Sequence, residues 1–529
     1  MRRSYWILVP VLLLTAAASA PAQITEEALL DSLQRTAFNY FWNEANPSNG
    51  LIKDRSASWS PCSIASLGFG LTAICIGIDH GWVTREAGRE RILTALETLW
   101  NAPQGSGASG IAGYKGLFYH FLDMNTATRV WDSELSTIDT ALLFAGILFA
   151  KQYFDTDDSL DVAVRAHADS LTRRADWEFM RAGGSGIRMG WKPGTGFSGF
   201  GNWIGYNEAM ILYIIALGSP TYPVPASTWT YWTSGYSWQT WYGQSYVNFP
   251  PLFGHHYSHC WIDFRCIQDA YMRNRGITYF ENSRRATLAQ RSYCIANPFN
   301  HIGYSDSLWG LTAGDGPDGY EARGAPPAQN DDGTITPTAA VSSIPFAPEV
   351  CIPAARNMYN TFGAQLWTQY GFRDGFNLSR AWWGPDVIGI DQGPIILMIE
   401  NYLSGSVWER FMQNADIQLG LLRAGFETTV TGVAQEESGA PLGEGLFLSS
   451  APNPFRGESV IRFLLPEKGR VKLSVYNVAG REVARLADDE RAAGPHEVLL
   501  DGTGLPSGVY YYRLESGTRS LTERCVLLR

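Results

Sequence analysis

The chain has 529 residues, 45% of them hydrophobic and 17% charged, with a formal net charge of -10. That length exceeds one ordinary domain, and the composition excludes a disordered chain. The acidic balance excludes nucleic acid as a partner, because a phosphate backbone selects a basic face. In chain order, Arg2 and Arg3 precede an apolar run over 5–18, and Ala20-Pro21-Ala22 offers a small-x-small cleavage site before Gln23. This predicts an export signal over 1–22 and a route through the periplasm to the cell surface or medium. The run is too short for a stable membrane span, and no other segment reads as one.

Residues 23–426 read as one helical domain. Apolar residues recur at helical spacing over 25–42, 61–79, 84–101, 132–153, 157–182, 206–217, 260–274, 277–297, 348–362, 391–403 and 405–423. Some patterns, such as 140–149 and 210–218, are apolar all round and must be buried on every side, while others carry one apolar face. Buried and one-faced helices together predict an inner ring within an outer ring, an (α/α)6 toroid. The Gly/Pro-rich intervals 102–130, 183–205, 218–259 and 298–347 are then rim loops, where sites are usually built. Residues 427–445 turn to Thr, Gly, Glu and Ala and read as a linker. From 446 the period falls to two, in 460–463, 471–476, 497–500 and 509–514, which predicts a small all-β sandwich over 446–529. The seven Cys are scattered, and most read as small buried apolar residues.

Three acidic stretches stand at the starts of apolar helices: 131–139, 205–210 and 389–394. Carboxylates are costly to desolvate, and pairs of them are what glycosidic-bond hydrolysis requires. The 19 Trp offer flat faces for sugar rings, although packing accounts for many of them. Glu208, followed by Ala209-Met210-Ile211-Leu212, is the candidate general acid, since apolar surroundings raise a carboxyl pKa. Asp139 precedes a wholly apolar helix; Asp391 precedes Gln392-Gly393-Pro394 and could be a simple helix cap. Either could be the base. Glu134, Asp132, Tyr206, Asp54, Arg55, His256, His259, Arg265 and Trp309 are candidate substrate contacts. His255 and His259 have i, i+4 spacing, but no third ligand is evident, so neither metal nor cofactor is expected.

Asn453-Pro454-Phe455, the segment 475–483 and the segment 505–514 resemble the C-terminal sorting domain of the type IX secretion system. The resemblance implies an immunoglobulin-like sandwich and delivery by that secretion machinery. The stretches 134–143, 205–210, 256–265, 309–316 and 389–401 resemble the bacterial glucoamylase-like proteins, in particular glycoside hydrolase family 144. That resemblance implies an (α/α)6 barrel and hydrolysis of β-1,2-glucan with inversion. It also implies a basic residue after Glu400-Asn401-Tyr402, where this chain has Leu403. Three other classes fit the same elements: an α-glucan hydrolase, a polysaccharide lyase using His255–Arg265, and a non-catalytic surface glycan-binding protein.

Overall fold

A computed structural model describes residues 24–428 and, in the C-terminal part, 447–451, 455, 457–465, 467–477, 481–506, 508–517 and 519–527. The expected export signal, the linker from 429 to its end at 445 and the Asn453-Pro454 part of the sorting motif lie outside these residues. The described chain divides into two compact units, 24–265 with 269–426, and 266–268 with the remainder from 427.

The first unit is built from two shells of helices. Buried on nearly all sides are Ile64–Asp79, Thr137–Tyr153, Met210–Gly218, Phe253–His256 with the 3-10 turn Tyr257–Cys260, Pro337–Val341 and Gly389–Leu403. Around the ring, the Ile64 helix packs on the Thr137 helix, which packs on the Met210 helix, which meets the Tyr257 turn. His256 Nε2 lies 2.8 Å from Ser343 Oγ, just beyond the Pro337 helix. That helix packs on the Gly389 helix, which returns to the Ile64 helix and closes the ring. Glu26–Asn43, Arg85–Asn101, Ser159–Arg173, Tyr279–Ala296, Pro348–Leu366 and Ala415–Arg423 bury one face each and form the outer shell. Side-chain caps at Thr25, Ser63, Thr84, Ser136, Asp158, Thr278 and Asn414 satisfy the orphan N–H groups that open many of these helices.

Several boundaries differ from expectation. The helix expected over 260–274 is confined to Ala270–Arg275, because Asp269 caps it and the chain ahead forms the tight 3-10 turn. The pattern over 405–423 splits into Ser406–Phe411 and Ala415–Arg423, where Asn414 caps a fresh start. The pattern over 206–217 becomes helical only at Met210, which leaves Glu208 on the turn ahead of it.

Glycine allows the closest approach in the ring. A Cβ on Gly146 would overlap the carbonyl oxygen of Gly68, and a Cβ on Gly68 would overlap that of Leu142. Backbone cannot yield as a flexible side chain can. Gly146→Ala is therefore expected to cost ~3 kcal/mol, lowering the apparent Tm by about 3–4 °C; an unchanged melting curve would refute this contact.

The second unit holds two antiparallel sheets. One pairs Phe447–Ala451, Glu458–Leu465 and Gly494–Asp501 in that order. The other runs Glu482–Arg491, Gly469–Asn477, Gly508–Ser516, Arg519–Leu527. Ile461, Phe463 and Leu465 from the first sheet share one core with Val471, Leu473, Val475, Tyr512 and Leu514 from the second. Their spacing of two is what puts them on one face. The four expected strands all fall within this set. Three further strands, 447–451, 482–491 and 519–527, are too polar or too irregular to show the alternation. The expected linker opens with Glu427–Thr428 paired to Ile267–Gln268. Cys62, Cys75, Cys260, Cys294, Cys351 and Cys525 are buried thiols, and Cys266 is exposed. Among the described residues, no helix is long and apolar enough to cross a membrane.

Candidate active site

The starts of the inner helices bring the acidic residues together. Ser136 caps the Thr137 helix; its Oγ accepts from the Asp139 backbone N–H and donates to Asp139 Oδ2. Beside it, His120 Nδ1 lies 3.0 Å from Glu134 Oε1 and 3.6 Å from Asp139 Oδ2. Burial works against charge on His120, but Asp139 and Glu134 outweigh it and hold the imidazole up to about 9. His120 is therefore an imidazolium at neutral pH, lodged between two carboxylates. Burial raises Asp139, and the His120 charge opposes that rise. Partial burial works to raise Glu134, yet the His120 bond brings it below the usual range.

Glu208 precedes the Met210 helix on a turn that Gly205 enters at φ +80°. The Asn207 Oδ1 accepts from the Ala209 N–H, and the Ser258 hydroxyl donates to the Glu208 carbonyl. The residue keeps partial exposure, while protein surrounds its carboxyl. Desolvation pushes that carboxyl up to about 7; its own N–H opposes the shift, and the charge of Asp139 adds to it. This is the environment of a proton donor at neutral pH.

Asp391 lies in the first turn of the Gly389 helix, whose cap is Ile388, so it does not serve as the N-cap. Burial, together with the charge of neighbouring Asp374, raises its carboxyl well above the carboxylate range. Asp374 is itself raised to about 6, chiefly by burial. The Asp315 N–H donates to Asp374 Oδ2. Arg55 balances the adjoining charge, at 3.0 Å from Asp315, 3.3 Å from Asp54 and 3.7 Å from Asp386. Asp54 is raised by burial and lowered by Arg55 and His120, so the two acidic groups adjoin. Tyr257 is raised well above its usual value, first by burial and then by Asp391 and Glu208 among its neighbours. The hydroxyl of Tyr320 feels Asp391, Asp374, Asp54 and Asp315, although its ring is 46% exposed.

The structure thus brings Glu208, Asp139, Glu134, Asp54, Arg55 and Asp391 into one electrostatically coupled acidic cluster. The other expected contacts lie elsewhere. Asp132 is exposed and ion-paired to Arg129 and Lys192. Tyr206 is buried, stacked on Tyr279 with its hydroxyl toward Ser283. His256 and His259 are 1% exposed; their hydroxyl partners are Ser343 and Ser283, contributed by distant segments. Burial lowers His256 to about 3 and His259 well below its usual value. Trp309 is wholly buried. Arg265 grips Asp263 and lies over the ring of Trp408, 4.5 Å from its centroid. Leu403 ends the helix that Asp391 begins, ~18 Å along it, and is 52% exposed, so it does not line this cavity. Sequence reasoning missed His120, Asp374, Tyr257 and Tyr320. His120, Glu134 and Asp139 offer donor atoms within 4.8 Å of one another, the spacing of a metal cluster. A hydrogen-bonded imidazolium between carboxylates accounts for that spacing.

A family model described as "Putative glucoamylase" matches residues 201–415, and a secretion system C-terminal sorting domain matches 451–528. An exo β-1,2-glucooligosaccharide sophorohydrolase (non-reducing end) of Parabacteroides distasonis is 32% identical over 431 residues, which are 75% of this chain. The chain spans 58% of that relative's length. A crystal structure from Bacteroides uniformis, of the same description as the family model, is 38% identical with a TM-score of 0.71, covering 77% of this chain and 99% of that one. The endo-β-1,2-glucanase of Chitinophaga pinensis, solved with sophorotriose and glucose, is 29% identical with a TM-score of 0.70, over 77% and 99% of the two chains. The chain belongs to this glucoamylase-like family of (α/α)6 proteins and carries a secretion sorting domain at its C-terminal end.

Proposed function

We propose that the protein is an exported glycoside hydrolase that cleaves β-1,2-glucan with inversion at the anomeric carbon. The observation that carries this is Glu208: a carboxyl that desolvation raises to about 7, with a second carboxylate, Asp139, close enough to add to the rise. Glu208 gives its proton to the leaving glycosidic oxygen as the C1–O bond breaks. Water attacks C1 from the opposite face, and its proton passes to a carboxylate. Two acceptors are candidates for this: Asp139, raised by burial with the His120 charge opposing the rise, and the neighbouring pair Asp374 and Asp391, both raised by burial. Arg55 and Tyr320 hold the sugar hydroxyls and the carboxylates in register. The β-1,2 linkage is supported by the relatives from P. distasonis and C. pinensis. The sorting domain, which we take to be an immunoglobulin-like sandwich over 446–529, supports release from the cell or attachment to its surface after a periplasmic leg directed by 1–22. The helical domain over 23–426 holds all the chemistry.

The test is reducing-sugar release from β-1,2-, β-1,3- and β-1,4-glucan and from starch, with NMR of early products. The expected result is activity on the β-1,2 polymer with the α-anomer appearing first. Initial β-anomer would replace inversion by retention. Starch cleavage alone would make it an α-glucan hydrolase. A near-ultraviolet chromophore from uronate polymers would make it a lyase. Binding without turnover would make it a glycan-binding protein.

A further inference from the structure

Two of the most exposed large side chains stand on one groove beside the acidic cavity. Trp59 is 65% exposed and Trp131 is 63% exposed. Both line a cavity of about 370 Å³, together with Lys53, Asp123 and Asn125. Leaving two indole rings in water forgoes much of their burial energy, and exposed aromatic surface at a groove marks a binding site.

Each ring is also tied to the acidic cluster. The Arg55 guanidinium, which pairs with Asp54 and Asp315, sits 5.9 Å from the Trp59 ring centroid. The loop between them is closed by Ser60 Oγ, which accepts from the Arg55 N–H. On the other side, Trp131 meets Phe121 edge-on at 5.2 Å, and Phe121 stacks on His120 at 3.9 Å. The backbone of Trp131 is in the left-handed region at φ +55°, an uncommon conformation for a bulky residue. The fold holds this ring outward rather than letting it collapse onto the surface.

The groove does not end at the tryptophans. Asn125 also lines a second groove of about 390 Å³, with Asn49, Thr94, Thr98, Asn101 and Thr126 among its walls. Amides and hydroxyls of this kind match the donors and acceptors of sugar hydroxyls. Aromatic faces followed by a track of amides and hydroxyls, with Glu97 its one charged wall residue, suit a hydroxyl-rich chain.

We infer that these two neighbouring grooves, which share Asn125, form a distal glucan track: Trp59 and Trp131 carry glucose rings beyond the bond being cut, and the Asn/Thr-lined segment holds the chain farther out. The inference rests on the β-glucan reading above and adds that the enzyme grips long chains more strongly than short ones.

Trp59→Ala, Trp131→Ala and the double variant, in the full chain, are compared with wild type on two substrates. These are long-chain β-1,2-glucan and the shortest β-1,2-oligosaccharide that the wild type cleaves. The double variant is expected to raise KM on the long chain about tenfold or more, with kcat/KM on the short one held within about twofold. Trp131→Tyr restores most of the loss, because it returns an aromatic face. A parallel fall on both substrates would overturn the inference, since the rings would then act through Arg55 and His120 on the reacting centre. No change on either would overturn it too. A wild type inactive on β-1,2-glucan overturns the substrate reading instead, and the same comparison is then made with the glucan it does cleave. If it cleaves none, both fall.

Discussion

Glu208→Gln is expected to reduce kcat about 10²–10⁴-fold while the protein remains folded. The amide keeps the shape of the side chain but has no proton to give the leaving oxygen. More than about a tenth of wild-type activity would remove Glu208 from this role. The pH profile provides a second check. Because desolvation holds Glu208 at about 7, the wild-type rate falls as pH rises through that value and the acid form is lost. It falls again on the acid side as the accepting carboxylate is protonated. The stability effect has the opposite sign from the activity loss. The folded pKa lies above the unfolded one, so the advantage of burying this group neutral is complete below the unfolded value of ~4.3. It is lost as pH rises through about 7. Glu208→Gln should therefore melt with wild type at acid pH and above it at pH values beyond neutrality. A variant no more stable than wild type in alkaline buffer would show that the carboxyl is not desolvated.

Arg55→Met carries the second large effect. Arg55 is the cation that Asp54, Asp315 and Asp386 share, and its side chain is 18% exposed. Removing it leaves three carboxylates facing one another. Breaking such a pair costs ~3–5 kcal/mol when fully buried, and ~2–4 kcal/mol is expected in this half-open setting. Asp54 and Asp315 are already raised by burial with Arg55 in place. Without it they go higher still and take up protons as pH falls. The stability deficit should thus shrink between neutral and mildly acid buffer in urea titrations. A deficit that stays constant with pH would mean that the aliphatic stem, packed near Trp59, carried the effect. Activity should fall with it, since Asp54 and the Asp315 hairpin lose their anchor.

The helical shells were legible because burial on all sides leaves a continuous apolar run, as in 140–149 and 210–218. The acids were legible because a carboxylate at the start of a wholly apolar run is costly to desolvate, although helix capping remained open for Asp391. His120 and Asp374 were not. Each lies between helices, outside any helical pattern, and each gains its meaning from partners that only folding brings near: Glu134 and Asp139 for one, Asp391 and Asp315 for the other. His256 and His259 gave the reverse error. They were expected as substrate contacts, but serine hydroxyls from far along the chain pair with them in the interior. Trp309 likewise could be assigned only by burial. Trp59 and Trp131, among 19 tryptophans, carried no sequence mark that set them apart.

The gathering of helix starts around the cavity has an electrostatic consequence. The Thr137, Met210 and Gly389 helices all begin there, so their peptide dipoles converge with the positive ends inward. Each such end acts as roughly half an elementary charge. Together they supply background positive potential against Asp139, Glu208 and Asp391, beyond the two cations His120 and Arg55. Unlike those side chains, the backbone has no proton to lose. The cavity can therefore hold several acids of differing pKa without collapsing their differences, and that inward potential outlasts the deprotonation of His120 in alkaline solution.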